Sequence, residues 1–252
     1  LIARFKGLRK PAEKVTCSVI VPCRNEKGNI EQVVLRTPDM GESTEIIFIE
    51  GHSQDGTFEE CERIKKEYPQ KDISVFPQDG KGKYDAVKKG FVHANSDVLM
   101  ILDADLTVPP EDLPKFFDAI VSGRGEFING TRLVYQMEAQ AMRVLNLLGN
   151  KFFSKAFTYI LEQRIRDTLC GTKVFWRSDY LKIADGRNYF GDFDPFGDFD
   201  LLFGASKLNL KIIEIPIKYR ERTYGITQIS RFQHGLLLFK MVFFALGKMK
   251  FI

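Results

Sequence analysis

The chain is 252 residues long, 44% hydrophobic and 28% charged, with 37 Lys and Arg against 33 Asp and Glu for a formal charge of +4. That composition argues against wholesale disorder and suffices to bury the core of one large α/β domain or two small ones. So small a positive excess does not call for nucleic acid, and none is expected as a partner; an anionic small molecule or a membrane surface fits equally well. Cys17, Cys23, Cys61 and Cys170 are widely spaced with no C-x-x-C pair, and only three histidines accompany them. A zinc site or disulfide framework is therefore not expected, and a reducing cytosolic setting is. The first residue is Leu1 rather than Met, which leaves open that the chain is part of a longer one. The basic lead-in, residues 1–15, lacks the apolar stretch of a signal peptide. No run of about 18 apolar residues is present to span a bilayer; the nearest candidate, 235–247, is shorter and carries Lys240. A soluble or surface-bound protein is expected.

In chain order, TCSVIVP (16–22) predicts a buried strand stopped by Pro22, followed by a helix over 26–35. TEIIFIE (44–50) predicts a second strand, GHSQDGT a polar turn, and 58–68 a charged helix. A third strand over 72–77, a helix over 82–95 and a fourth strand, DVLMILD (97–103), complete a regular alternation. Such alternation implies a mostly parallel sheet flanked by helices, with active loops at the carboxyl ends of its strands. Asn25, Glu26, Glu50, Asp55, Asp103 and Asp105 all fall there. The second half is less regular: a strand over 126–132, a long amphipathic helix over 139–161, and loop plus strand over 164–177. A Phe/Asp/Gly loop over 188–200 then leads into a helix, a strand pair over 211–222 is bent at Pro216, and a basic amphipathic stretch begins at Ser230. No repeat or linker interrupts the chain, and one compact unit over 16–230 is expected, with 231–252 as a C-terminal amphipathic helix.

LDADLTVPPEDL (102–113) is the sharpest chemical feature. Asp103 and Asp105, one residue apart past an apolar strand, can together reach one divalent cation and a ribose hydroxyl. Their oxygens suit Mg²⁺ or Mn²⁺ rather than zinc. Pro109, Pro110 and Glu111 open the next helix. In VPCRNEKGNI (21–30), Glu26 is either a contact group or a first-turn acid complementing the helix dipole. In IEGHSQDGT (49–57), Asp55 and Thr57 are contact groups or turn and cap residues.

Taken in order, these three pieces resemble the family-2 glycosyltransferases with the A-type nucleotide-sugar-binding fold. The carrying residues are Pro22, Asn25 and Glu26; Glu50, Ser53, Asp55, Gly56 and Thr57; then Asp103, Asp105, Leu106, Pro109, Pro110 and Glu111. Within that family the chain looks most like the dolichyl- or polyprenyl-phosphate sugar transferases, through NGTRL (129–133), RDTLCGTKVF (166–175) and RERTYGITQIS (220–230). It departs from the family pattern at Gly51, at Thr107, at Lys173 in place of Arg, and at Thr227–Gln228 in place of Ser-Lys.

The resemblance implies an inverting, metal-dependent hexosyl transfer from a nucleotide-sugar donor, UDP or GDP, to a polyprenyl phosphate. Pro22, Asn25 and Asp55 belong to the implied donor site. Glu26 and Glu50 would contact the nucleoside, Asp103 the ribose or metal, and Asp105 the Mg²⁺ or Mn²⁺. Lys81 and Lys83 would steady phosphates; Arg132, Lys173, Arg220 and Arg222 belong to the acceptor segments. On a strand, Arg220 and Arg222 would share a face. A glycan hydroxyl acceptor would instead need a base, for which Asp198 and Asp200 are the candidates, Asp198 being equally a helix N-cap. A sugar-nucleotide-binding module without turnover is the reading of another class. The terminal stretch, with Arg231, Lys240, Lys248 and Lys250 among Phe, Leu and Met, suits a helix lying peripherally on the cytoplasmic face of a membrane.

Overall fold

The computed structural model describes residues 10–132, 144–186, 197–222, 224–225 and 231–249. The first half winds as expected: β1 (Thr16–Cys23), α1 (Lys27–Arg36), β2 (Ser43–Glu50), α2 (Thr57–Glu67), β3 (Asp72–Pro77), α3 (Lys83–His93) and β4 (Val98–Ile101). A single turn over Pro110–Asp112 leads into α4 (Leu113–Val121), then β5 (Phe127–Thr131) and α5 (Val144–Leu161). The chain closes with β6 (Lys173–Trp176), α6 (Arg177–Asp185), α7 (Asp198–Lys207), β7 (Ile212–Pro216) and α8 (Arg231–Met249). Most of the loop expected over 188–200, like the segment 226–230, lies outside the described residues.

The sheet order is β3-β2-β1-β4-β6-β5-β7. β6 runs antiparallel to both its neighbours, and every other pairing is parallel. Residues 17 and 19–21 of β1 are fully buried, as befits a central parallel strand covered on both faces. β1 extends one residue beyond its expected stop at Pro22. Ile20 accepts from Leu102 N–H on the β4 side, so two residues on, Pro22 faces that same side, where pairing with β4 has ended. Its missing N–H therefore costs no ladder bond.

α3 packs onto β1 and β2 closely enough that a Cβ on Gly90 would overlap Ile20. The β5–β6 register sets Phe127 opposite Phe175 with their rings stacked at 5.4 Å, and Phe91 of α3 meets Phe175 edge-on at 5.4 Å. Such pairs add about 0.5–1.5 kcal/mol beyond their burial, which pins the reversed strand in place.

Two expectations for the second half are corrected. Residues 177–185, not anticipated as regular structure, form α6. The strand pair over 211–222 is the single strand β7, ending at Pro216; residues 217–222 are irregular. Arg220 and Arg222 therefore do not share a strand face. Among the described residues no helix is long and apolar enough to cross a membrane.

Candidate active site

From β1 the chain passes to β2 and β3 on one side, then returns to place β4 on the other. The crevice at this reversal lies between the carboxyl ends of β1 and β4, where ligands bind in open α/β sheets. The loops after β1, β2 and β4 each hold a non-glycine residue in the left-handed region: Asn25 (φ 54°), His52 (φ 58°) and Leu106 (φ 56°). Each costs on the order of 1–3 kcal/mol and persists only where surrounding bonds over-determine it.

Those bonds are present. Asn25 N–H donates to Ser53 Oγ at 2.8 Å, and Asn25 Oδ1 accepts Gln54 N–H at 3.0 Å. Glu26 N–H donates to Thr57 Oγ1 at 3.0 Å. Asp55 Oδ2 accepts Lys27 N–H at 3.2 Å, and its Oδ1 accepts Thr57 N–H at 3.0 Å and the Thr57 hydroxyl. Burial opposes ionisation of Asp55, but these bonds and one from Tyr224 hold its carboxyl below the usual range. Glu50 is buried and accepts Ser53 N–H at 2.6 Å. Asn25 and Asp55 thus clamp two strand-end loops together, and Glu50 braces the second of them.

Past β4, Asp105 Oδ1 accepts Thr107 N–H at 3.1 Å and Oγ1–H at 2.8 Å, while Oδ2 accepts from Arg222 at 2.7 Å. The same guanidinium reaches Glu26 Oε1 at 2.9 Å, and Glu26 Oε2 accepts from Asn29 at 2.7 Å. Burial pushes the Glu26 carboxyl above its ordinary value, with Arg222 and Asn29 pulling the other way. Asp103 pairs with Lys83 at 2.5 Å. Burial opposes charge on that ammonium, yet Asp103, then Asp198, hold its pKa well above the ordinary value.

Because β6 is reversed, its first residues arrive at this same edge. A Cβ on Gly171 would overlap both Asp103 Oδ2 and Lys83 Nζ, so glycine lets the strand entry pass. Lys173 is fully buried and donates to Cys170 O at 2.5 Å and Asp198 Oδ1 at 2.6 Å. Asp200, in the first turn of α7, accepts from Tyr84 Oη, and burial pushes its carboxyl up to about 6.

The predicted residues therefore divide. Glu26, Lys83, Asp103, Asp105 and Arg222 meet in the crevice, with Lys173 and Asp198 packed behind them. Arg132 is held apart by Asp167, through side-chain bonds of 2.7 and 2.8 Å and a backbone bond of 3.1 Å, and lies over the Tyr219 ring. Arg220 donates its N–H to Thr107 O at 2.9 Å, but its side chain lines a separate open depression of about 480 Å³ with Glu111, Lys115 and Lys218. Lys81 is exposed. Sequence reasoning did not single out Gly171, Tyr84, Asp167 or Tyr224. Tyr224 donates to Asp55 Oδ2 at 3.3 Å, and its ring lies 2.6 Å from where a Cβ on Gly28 would stand. Gly171 and Tyr224 sit inside motif segments already recognised, and Tyr84 adjoins Lys83.

Among the described residues no group of three or more His, Cys, Asp or Glu is arranged to hold a metal ion. Asp103 and Asp105 offer two hard oxygen donors, which fits Mg²⁺ or Mn²⁺ where substrate phosphates and water complete the shell. That each already carries a protein cation, Lys83 or Arg222, marks the spot as one demanding positive charge.

Residues 18–183, well over half the chain, match the family model described as glycosyl transferase family 2. The chain belongs to glycosyl transferase family 2. It is 28% identical over 91% of its length to glycosyltransferase AglJ of Haloferax volcanii, covering 71% of that protein. Over 46% of its length it is 37% identical to a dolichol-phosphate mannosyltransferase of Pyrococcus furiosus, covering 33% of that protein. It is also 29% identical over 92% of its length to an undecaprenyl-phosphate 4-deoxy-4-formamido-L-arabinose transferase of Salmonella paratyphi B, covering 67% of it. Glucosyl-3-phosphoglycerate synthase of Mycobacterium tuberculosis, solved with Mn²⁺, UDP and glucosyl-3-phosphoglycerate, superposes with a TM-score of 0.65 at 16% identity, covering 93% of this chain and 80% of that one. That likeness is one of fold. This family-2 glycosyltransferase thus has the expected A-type architecture, and its relatives include sugar transferases acting on polyprenyl phosphates.

Proposed function

We propose that this enzyme transfers a hexose from a nucleotide-sugar donor, UDP- or GDP-linked, to a polyprenyl phosphate, with inversion at the anomeric carbon and dependence on Mg²⁺ or Mn²⁺. The observation that carries this is the convergence of Glu26, Asp103 and Asp105 at the β1/β4 reversal, in a family whose relatives are named for polyprenyl-phosphate acceptors. Asp105, with Asp103, would hold the cation, which supplies Lewis-acid stabilisation of the charge left on the nucleoside diphosphate. Lys83 sits where an ammonium can share that charge.

The acceptor assignment gains support from the fate of the two candidate bases. A hydroxyl acceptor needs a base within reach of its proton, whereas a phosphate oxygen is already anionic at neutral pH. Asp198 is committed to Lys173 and Asp200 to Tyr84, which disfavours a glycan hydroxyl. Membrane-surface contact through α5 and α8, on the cytoplasmic face, belongs to the same proposal: the two helices pack together and leave Phe152, Tyr159, Phe239 and Phe243 exposed.

Calorimetry with UDP and GDP, with and without Mn²⁺, alongside Asp105→Ala, tests the donor site. Metal-dependent binding of one nucleotide, lost in the variant, is expected; absence of binding to either would sink the proposal. Labelling of polyprenyl phosphate rather than a soluble glycan then decides the acceptor.

A further inference from the structure

Glu26, Asp103 and Asp105 bring three carboxylates into one crevice, and such groups cannot all stay ionised without compensating charge. Two side chains compensate them here. Lys83 does so from the first turn of α3, with its ammonium paired to Asp103 and its helix packed on β1 and β2. Arg222 does so from an irregular segment that leaves β7 and is tied down by Ile217 N–H to Thr131 O and Arg220 N–H to Thr107 O. Its guanidinium spans 2.9 Å to Glu26 Oε1 and 2.7 Å to Asp105 Oδ2. Beyond it, Tyr224 lies over Gly28 and reaches Asp55, and Gly225 (φ 76°) passes 3.2 Å from Asn25 O, measured to where a Cβ would stand. Residues 220–222, 224 and 225 therefore form a strap across the mouth of the crevice, fastened by Arg222.

We propose that Arg222 is the occupant of the divalent-cation position in the empty enzyme, so that cation binding and the Arg222 bridge between Glu26 and Asp105 exclude one another. The inference rests on the proposal that Asp105 is the cation's ligand. Asp105 has its Oδ1 filled by two donors from Thr107, so the oxygen available to a cation is Oδ2, the one Arg222 holds. Of the two compensating side chains, Lys83 stands on a packed helix and Arg222 on an irregular segment past β7, so Arg222 is the one that leaves. Expulsion frees a guanidinium beside the donor site, in the geometry suited to bidentate phosphate contact, and unfastens the strap. Arg222 is thus a positioning residue in the empty state, holding Glu26 and Asp105 together until the cation replaces it.

The test is Mn²⁺ binding without nucleotide, followed by electron paramagnetic resonance of the free ion, in the full chain and in Arg222→Gln, Arg222→Lys and Asp105→Ala. Arg222 is partly exposed, and a common melting temperature certifies that the variants fold. Arg222→Gln is expected to bind Mn²⁺ about tenfold or more tightly than the parent, a coupling of ordinary allosteric size. Arg222→Lys, which restores a competing charge, is expected to return toward parental affinity, and Asp105→Ala to lose binding. Equal Mn²⁺ affinity in parent and Arg222→Gln, with Asp105→Ala still losing it, overturns the exclusion and leaves the donor site standing. Indifference of Mn²⁺ binding to Asp105→Ala overturns both.

Discussion

Replacing Lys173 with Met deletes a charge that has no access to solvent while keeping the length of the side chain. The Lys173 ammonium is fully buried, 2.6 Å from Asp198 Oδ1 and 2.5 Å from Cys170 O, and the Asp198 side chain is itself only 10% exposed. The substitution strands a buried carboxylate, and breaking such a pair by removing one partner costs about 3–5 kcal/mol. For a chain of this size each kcal/mol moves the melting temperature by roughly 2–4 °C, so a drop of roughly 6–20 °C is expected. Combining Lys173→Met with Asp198→Asn removes both charges and should recover a large share of the loss, because the desolvation penalty goes with them. Calorimetric melting of parent, both single variants and the double variant gives the coupling energy directly. Since Lys173 cannot touch a ligand, nucleotide affinity measured well below the transition should be unchanged. A single variant that melts with the parent, or one that folds normally yet loses nucleotide binding, would refute the assignment of Lys173 to structure and return it to substrate contact.

Other substitutions probe the same edge. Gly171→Ala forces a methyl into Asp103 and Lys83; it should cost about 1–3 kcal/mol in urea denaturation and weaken Mn²⁺ binding, and unchanged binding would show that the pair is not held by the β6 entry. Asp200 has its pKa raised from 3.8 to about 6 by burial. The folded state therefore holds this proton more tightly, so the contribution of Asp200 to stability is fully present below about pH 4, is lost as pH rises through about 6, and amounts to about 3 kcal/mol over that window. Asp200→Asn should flatten this segment of the pH–stability curve, and an unaltered slope would exclude Asp200 as its source. Phe243→Ser, at a side chain 72% exposed on α8, should reduce co-sedimentation with anionic liposomes without changing the melting temperature; equal sedimentation would count against the α8 surface as the membrane contact.

The half of the fold built from β1 to β4 was legible because each strand is a short apolar run closed by turn residues, and each helix between them carries polar periodicity. The Asp103/Asp105 spacing was legible for the same reason: it follows immediately on such a run. The later elements were not. KVFW begins with a lysine, and nothing local shows that this charge is buried against an aspartate 25 residues on or that the strand runs against its neighbours. The alternating charges of Arg220 and Arg222 looked like one strand face because the period of two continues past Pro216. β7 stops there and sends the two side chains to Glu111 and to Glu26 with Asp105, respectively. Spacing within a motif names the acids. Which cation neutralises each is decided by the fold: Lys83 reaches Asp103 from a nearby helix, whereas Arg222 reaches Asp105 from more than a hundred residues away.

The reversed strand explains why the site draws on both halves. A parallel β6 would deliver Lys173 to the opposite edge of the sheet and leave the Asp198 carboxylate without its hydrogen-bonded cation. Running β6 backward brings in Lys173, so that Asp198 meets its cation at the same edge where Lys83 meets Asp103 and Arg222 meets Glu26 and Asp105. A divalent cation adds two positive charges to this acid-rich edge, which favours receipt of a nucleoside diphosphate, provided that no basic group is lost in the exchange. Arg222 meets this condition by changing partners, from carboxylates in the empty enzyme to phosphate in the loaded one. Under the proposed exclusion the same guanidinium serves both charge states of the crevice. Neutralising it should therefore tighten the metal while weakening the nucleotide, a pair of opposite effects that a loss of structure alone would not produce.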